Sequence, residues 1–167
     1  MDRPKMKAPE HSISLARVFA APPEALYAAF TDPAVMRRWM GTKVEADIRI
    51  GGRYRIENDN GEGGVFFHLG EYLVLEPHHR IRQSFRAGFS EPELSGPSPY
   101  VNEFFEVTLR PVGEDQTELT LVNGWDGDGL NTEATDSVRE GWSHWLDQLA
   151  EAVAKQEQAW HSRLHLF

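Results

Sequence analysis

Gly141-Trp-Ser-His-Trp-Leu-Asp-Gln-Leu149 is the stretch on which the fold turns. Extended in both directions, it sets Val138, Trp142, Trp145, Leu146, Leu149 and Val153 at helical spacing, with Arg139, Ser143, Asp147 and Glu151 mostly opposite. The pattern predicts a helix from about Thr132 to Gln156, on the order of 36 Å long. So wide an apolar stripe has to be buried against another layer. Gly141 in its middle costs roughly 1 kcal/mol relative to alanine. Something must compensate: close approach of helix and sheet, or room for a ligand beside Trp142.

Everything upstream reads mainly as strand. Ile13 to Phe19 alternates. Pro22-Pro23 ends that strand and opens a short helix, with Glu24 near its positive end and Leu26, Tyr27 and Phe30 as its apolar stripe. Thr31-Asp32-Pro33 stops it, and Asp32 is placed to cap a second helix through Trp39. From Val44 the period is two: Val44, Ala46, Ile48 and Ile50 share a face, Gly51-Gly52 turns, and Tyr54 and Ile56 resume. Glu57 to Gly61 reads as a second turn. Gly64 to Leu75 reads as a long strand with a bulge or bend at Gly70. After a turn at Pro77-His78-His79, Ile81 to Ala87 places Ile81, Gln83, Phe85 and Ala87 on one face. Ala87 to Pro99, rich in glycine and proline, is the one long irregular loop. Tyr100 to Arg110 and Glu118 to Trp125 are two strands joined by a hairpin containing Gly113. Strands in series closed by helices on one side define an α+β class with an antiparallel sheet.

A chain of 167 residues and 19.0 kDa predicts one domain over residues 1–167, with a core of about 12–156 and tails at 1–11 and 157–167. The absence of cysteine excludes disulfides and thiolate chemistry. A net charge of −9 argues against binding a nucleic-acid backbone. Met1 to Glu10 carries charges and no apolar run, so no signal peptide is expected. Nothing approaches the ~20 apolar residues of a membrane helix. The expectation is a cytoplasmic protein with no membrane insertion.

Four stretches carry a resemblance. They are Ala21 to Pro33 with Trp39, Asp47-Ile-Arg-Ile-Gly-Gly-Arg53, Gly70-Glu-Tyr-Leu-Val-Leu-Glu-Pro77, and Gly141-Trp142 with Leu146 and Leu149. In this order they resemble the START-like (helix-grip, SRPBCC) superfamily, in the branch similar to the C-terminal domain of the activator of Hsp90 ATPase. The resemblance implies a curved antiparallel sheet of about six to seven strands gripping a long C-terminal helix, with two short helices after the first strand. It also implies a cavity, or a packed remnant of one, between helix and sheet. Relatives bind apolar ligands, sequester antibiotics, cyclise polyketides or assist a chaperone, so the fold alone fixes no activity. The extra N-terminal domain of the eukaryotic activators has no counterpart in this sequence, which weighs against the chaperone role.

The candidate ligand-binding residues fall into two sets. Tyr54, Phe85, Phe105, Trp125, Trp142 and Trp145 can line an apolar pocket or form an aromatic core. Gln83, Glu103 and Asn123 are polar on faces whose other members, such as Val101, Phe105, Val107 and Leu109 around Glu103, are apolar. Such residues need partners or a wet cavity. Glu103 is the one candidate for acid–base chemistry, but no nucleophile or second catalytic group accompanies it in sequence. His161 and His165 stand at i, i+4 without a third ligand, and Asp126 to Asn131 departs from a calcium loop in its glycine and closing residue. Neither a metal nor a cofactor is expected. The expected partner is a small apolar or amphipathic ligand, bound without chemistry. A chaperone partner, a homodimer, and a cyclase or hydrolase acting on an aromatic substrate remain as alternatives.

Overall fold

The computed structural model describes residues 8–59, 64–88, 101–127 and 132–164, with side chains in the last helix for 135–154. Strand β1 (His11–Phe19) is followed by helices α1 (Pro23–Thr31) and α2 (Pro33–Met36). Then come β2 (Lys43–Ala46), β3 (Arg53–Asp59), β4 (Val65–Glu76), β5 (Arg80–Ser84), β6 (Arg86–Gly88), β7 (Val101–Gly113) and β8 (Gln116–Asp126), and helix α3 (Thr132–Leu164) ends the chain. The strands form one antiparallel, curved sheet in the order β1-β8-β7-β5-β4-β3-β2, with β6 also pairing with β4. This is the α+β helix-grip arrangement, with eight strands in place of six to seven. The count rises because the run from Ile81 to Ala87 is divided at Phe85 into β5, which pairs with β4 and β7, and the short β6, which pairs with β4; the Phe85 N–H donates to Glu103 O at 2.9 Å.

The local reasons are those of the sequence. Pro23 starts α1, and Asp32 caps α2 by accepting from Ala34 N–H at 3.0 Å. Helix α2 stops at Met36, short of the expected Trp39, and α1 is tied to the core by two hydrogen bonds from aromatic side chains. Trp39 Nε1 donates to Ala29 O at 2.8 Å, and the Tyr72 hydroxyl donates to Phe30 O at 2.9 Å. The core fills the space between these helices, α3 and the inner face of the sheet, with Phe30, Met36, Ile81, Phe105, Leu119, Leu121 and Leu149 fully buried.

Several expectations are corrected. Strand β2 stops at Ala46, so Ile48 and Ile50 do not continue its face. Asp47 to Gly52 is a wider turn, held by Asp47 N to Arg53 O and Gly52 N to Arg49 O, and leaves both isoleucines exposed. Glu57, Asn58 and Asp59 belong to β3 instead of a turn, because they pair with Phe67, Phe66 and Val65 of β4. The register shift in β4 falls between Tyr72 and Val74. Gly70 serves a different end: a Cβ there would lie 2.0 Å from Ser84 O, so glycine lets the two backbones meet. Val101 is exposed instead of continuing the Phe105 face, since β7 carries an extra residue between Val101 and Phe104. Asn102 there has φ 53°, and the bulge rotates what precedes it out of the alternation. Helix α3 runs on past Gln156 to Leu164. Ala87 and Gly88 belong to β6, and the rest of the expected irregular loop, with Asn60 and Gly61, lies outside the described residues.

Gly70→Ala should lower stability by about 1–3 kcal/mol, because the obstructing atom is backbone and cannot swing away. The midpoint of chemical denaturation measures it.

Candidate functional site: a cavity under the last helix

Helix α3 is fastened along one side. Arg17 of β1 donates to Asp147 Oδ1 at 2.6 Å and to Ser143 O and Oγ at 3.3 Å, and Arg139 donates to Ser14 O at 3.0 Å. On the opposite side, toward β4 and β6, the helix stands off the sheet and leaves a cavity of about 310 Å³. Strand β4 contributes Phe66 and His68 to its wall, the β5–β6 segment Phe85, Arg86 and Ala87, β7 Glu103, and β8 Asn123. Helix α3 covers it with Val138, Gly141, Trp142 and Trp145.

The walls are mostly ring faces. His68 lies 4.2 Å from Trp145 between centroids and 5.1 Å from Phe85, while Trp142 packs against Phe85 at 5.5 Å and Phe105 at 5.2 Å. One polar chain crosses them. The Asn123 amide, fully buried, donates to Phe104 O at 2.9 Å and to Glu103 Oε2 at 3.1 Å, and its Oδ1 accepts from Trp142 Nε1 at 3.0 Å. Burial raises the Glu103 carboxyl to about 7, with the Asn123 hydrogen bond pulling the other way. Burial lowers His68 to about 3, so its imidazole is neutral.

The structure thus brings Phe85, Glu103, Asn123, Trp142 and Trp145 together on one wall. The other four candidates lie elsewhere. Phe105 is buried behind Trp142 and Phe85, and Trp125 stacks with His11 near the β1 edge. The Tyr54 hydroxyl donates to Ser84 O at 2.7 Å. Gln83 is wholly buried among Tyr72 and Phe105 neighbours, and neither of its amide atoms meets a hydrogen-bond partner, although it lies close enough to Tyr54 to favour the phenolate slightly. Sequence reading did not place Phe66, His68, Arg86, Ala87 and Val138 on the wall. For Phe66 and His68 the signal existed, since they alternate on one face of a long strand. Gly141 does not mark close approach: a Cβ there would meet nothing within 4 Å, so the space beside Trp142 is open.

Among the described residues no three metal-ligating side chains converge, and no helix is long and apolar enough to cross a membrane. The side chains of His161 and His165, and residues 128–131 of the calcium-like stretch, lie outside the described residues.

A curved antiparallel sheet closed by a terminal helix over an internal cavity defines the helix-grip class. The family described as Activator of Hsp90 ATPase homolog 1-like protein matches residues 20–154, and the chain belongs to it. Among solved structures, the Mll3558 protein of Rhizobium loti is 27% identical with a TM-score of 0.67, over 85% of this chain and 96% of that one. PFC0360w, an Hsp90 activator from Plasmodium falciparum, is 19% identical with a TM-score of 0.63, over 86% and 96%. The Aha1 dimer from Colwellia psychrerythraea is 18% identical with a TM-score of 0.60, over 85% and 95%. At those identities the last two share the fold. No protein of curated function matches significantly.

The two shifted groups set opposite pH dependences. Native Glu103 holds its proton up to about 7 where the unfolded chain loses it near 4.5, so this group's contribution falls as pH rises across that window. Native His68 loses its proton down to about 3 where the unfolded chain holds it up to 6.5, so its contribution falls as pH drops across that range. Glu103→Gln should therefore be more stable than wild type above about pH 7, with the gap closing toward about pH 4.5. Thermal melts over a pH series read the difference.

Proposed function

We propose that the protein binds a small apolar or amphipathic molecule in the cavity under α3, without converting it. The carrying observation is the cavity itself, about 310 Å³, with ring faces for walls and one carboxyl among them. That volume lies at the lower end of small-molecule pockets, which combine apolar walls with a few placed polar groups. Asn123 supports a binding role over a catalytic one. Its amide is spent on Phe104, Glu103 and Trp142, so it positions Glu103 and offers nothing to a reacting molecule. A cyclase or hydrolase would rest on Glu103, and turnover unchanged in Glu103→Gln would remove it from that role.

Family membership favours a second reading, a chaperone cofactor acting through its surface. The Plasmodium relative of the same fold is described as an Hsp90 activator. Absence of both binding to Hsp90 and stimulation of its ATPase would end that reading. Self-association, as in the Colwellia dimer, belongs with it and is read by sedimentation.

Gly141→Leu separates the cavity from the surface. The new side chain enters open space at the cavity's rim, so the fold should keep its stability, gaining up to about 1 kcal/mol from helix propensity. Native mass spectrometry of the purified variant should lose any small molecule that accompanies the wild type, while chaperone binding is unaffected. Retention of the same molecule by Gly141→Leu would rule out this cavity as its site.

A further inference from the structure

The cavity wall holds one carboxyl and gives it little to bind. Glu103 Oε2 accepts from Asn123 at 3.1 Å, and among the described residues no cation relieves the penalty of burial: burial is what raises its pKa, and the Asn123 hydrogen bond lowers it. Tyr54 on β3 is held neutral by burial, and so is His68 on β4. Arg86 on β6, the cation on the wall among the described residues, already has an interaction partner. On the far face of the sheet Arg82 of β5 is paired with Glu106 at 3.2 Å, and Asp126 of β8 accepts from Asn102 at 3.1 Å. Arg139 of α3 is tied to Ser14 O, and the part of α3 facing the cavity presents Val138, Gly141, Trp142 and Trp145, none of them ionisable. Among the described residues, an ionised Glu103 therefore faces the cavity as a carboxylate short of donors.

Three kinds of polar head can enter. A carboxylate meets like charge at Glu103. A neutral hydroxyl gains one hydrogen bond. A protonated amine gains a charge-assisted one, and the ring faces that line the rest of the wall attract a cation as well. We propose that the cavity selects an organic ammonium: a small ligand with an apolar, aromatic-sized body and one protonated amine, the amine paired with Glu103 and the body held among Phe85, Trp142 and Trp145. The acidic chain, at −9, adds long-range attraction for such a ligand. This proposal rests on the binding reading above and names the chemical class that the same cavity takes.

Phenethylamine, phenethyl alcohol and phenylacetate share an aromatic body and differ in the head group. Titrated into the full chain and followed by the indole N–H signals of Trp142 and Trp145, the amine should bind about tenfold more tightly than the alcohol at about pH 8, and phenylacetate least. Lowering the pH below about 7 should weaken the amine and not the alcohol, because Glu103 takes up its proton there. Glu103→Gln should bring the amine to the alcohol's level. Should that variant fail to fold, the wild-type pH profile decides alone. An alcohol that binds as well as the amine overturns the ammonium proposal and leaves the binding reading standing. Phenylacetate binding tightest overturns it in favour of Arg86 as anchor. If none of the three moves the Trp142 or Trp145 signal, the proposal and the binding reading fall together.

Discussion

One side-chain amide links the parts of this molecule that matter to its site. Asn123 lies on β8, one strand in from the β1 edge of the sheet, its backbone paired with Phe105 of β7 on one side and Ile13 of β1 on the other. Its side chain satisfies Phe104 O beside the β7 bulge, orients the Glu103 carboxyl and holds the Trp142 indole of α3. Buried polar groups are costly when partly satisfied and specific when fully satisfied. Both donors and the acceptor of this amide are used, so helix, bulge and carboxyl are locked to one another. The height of α3 above the sheet at Trp142 is set by a hydrogen bond and not by hydrophobic contact alone.

The grip on α3 is lopsided in consequence. Arg17 and Arg139 fasten it to β1, and Leu146, Leu149 and Val153 bury its central turns. Toward β4 and β6 the contact is made by tilted rings, His68 against Trp145 and Phe85 against Trp142. The side that faces the cavity is thus held by ring contacts, while the side away from it is held by hydrogen bonds to β1.

Much of the scaffold was legible in the sequence because its signals are local. Pro23, Asp32 and Gly113 act within a few residues of themselves, and the stripe on α3 repeats often enough to be unmistakable. The site was half legible. Trp142, Trp145, Phe85, Glu103 and Asn123 stand out as aromatic or polar residues on otherwise regular faces. What escaped depends on contacts far apart in the chain. Ile48 and Ile50 keep the strand period, yet β2 ends when Asp47 finds Arg53. Val101 keeps it too, yet an extra residue in β7 turns it outward. Gly70 and Gly141 look alike as glycines inside regular elements. The first admits a neighbouring backbone and the second admits empty space, and only the packing distinguishes them.

The bulge in β7 has a consequence for how such a cavity changes over generations. Two residues, Asn102 and Glu103, stand where the partner strand has one, and which of them is directed at the cavity is a matter of phase. Deleting or inserting one residue in that strand would exchange the carboxyl for its neighbour in a single event, leaving Phe105, Val107 and Leu109 in place beneath. The chemistry of the wall can thus be rewritten by a change in length, a shorter mutational path than remodelling the aromatic faces one substitution at a time.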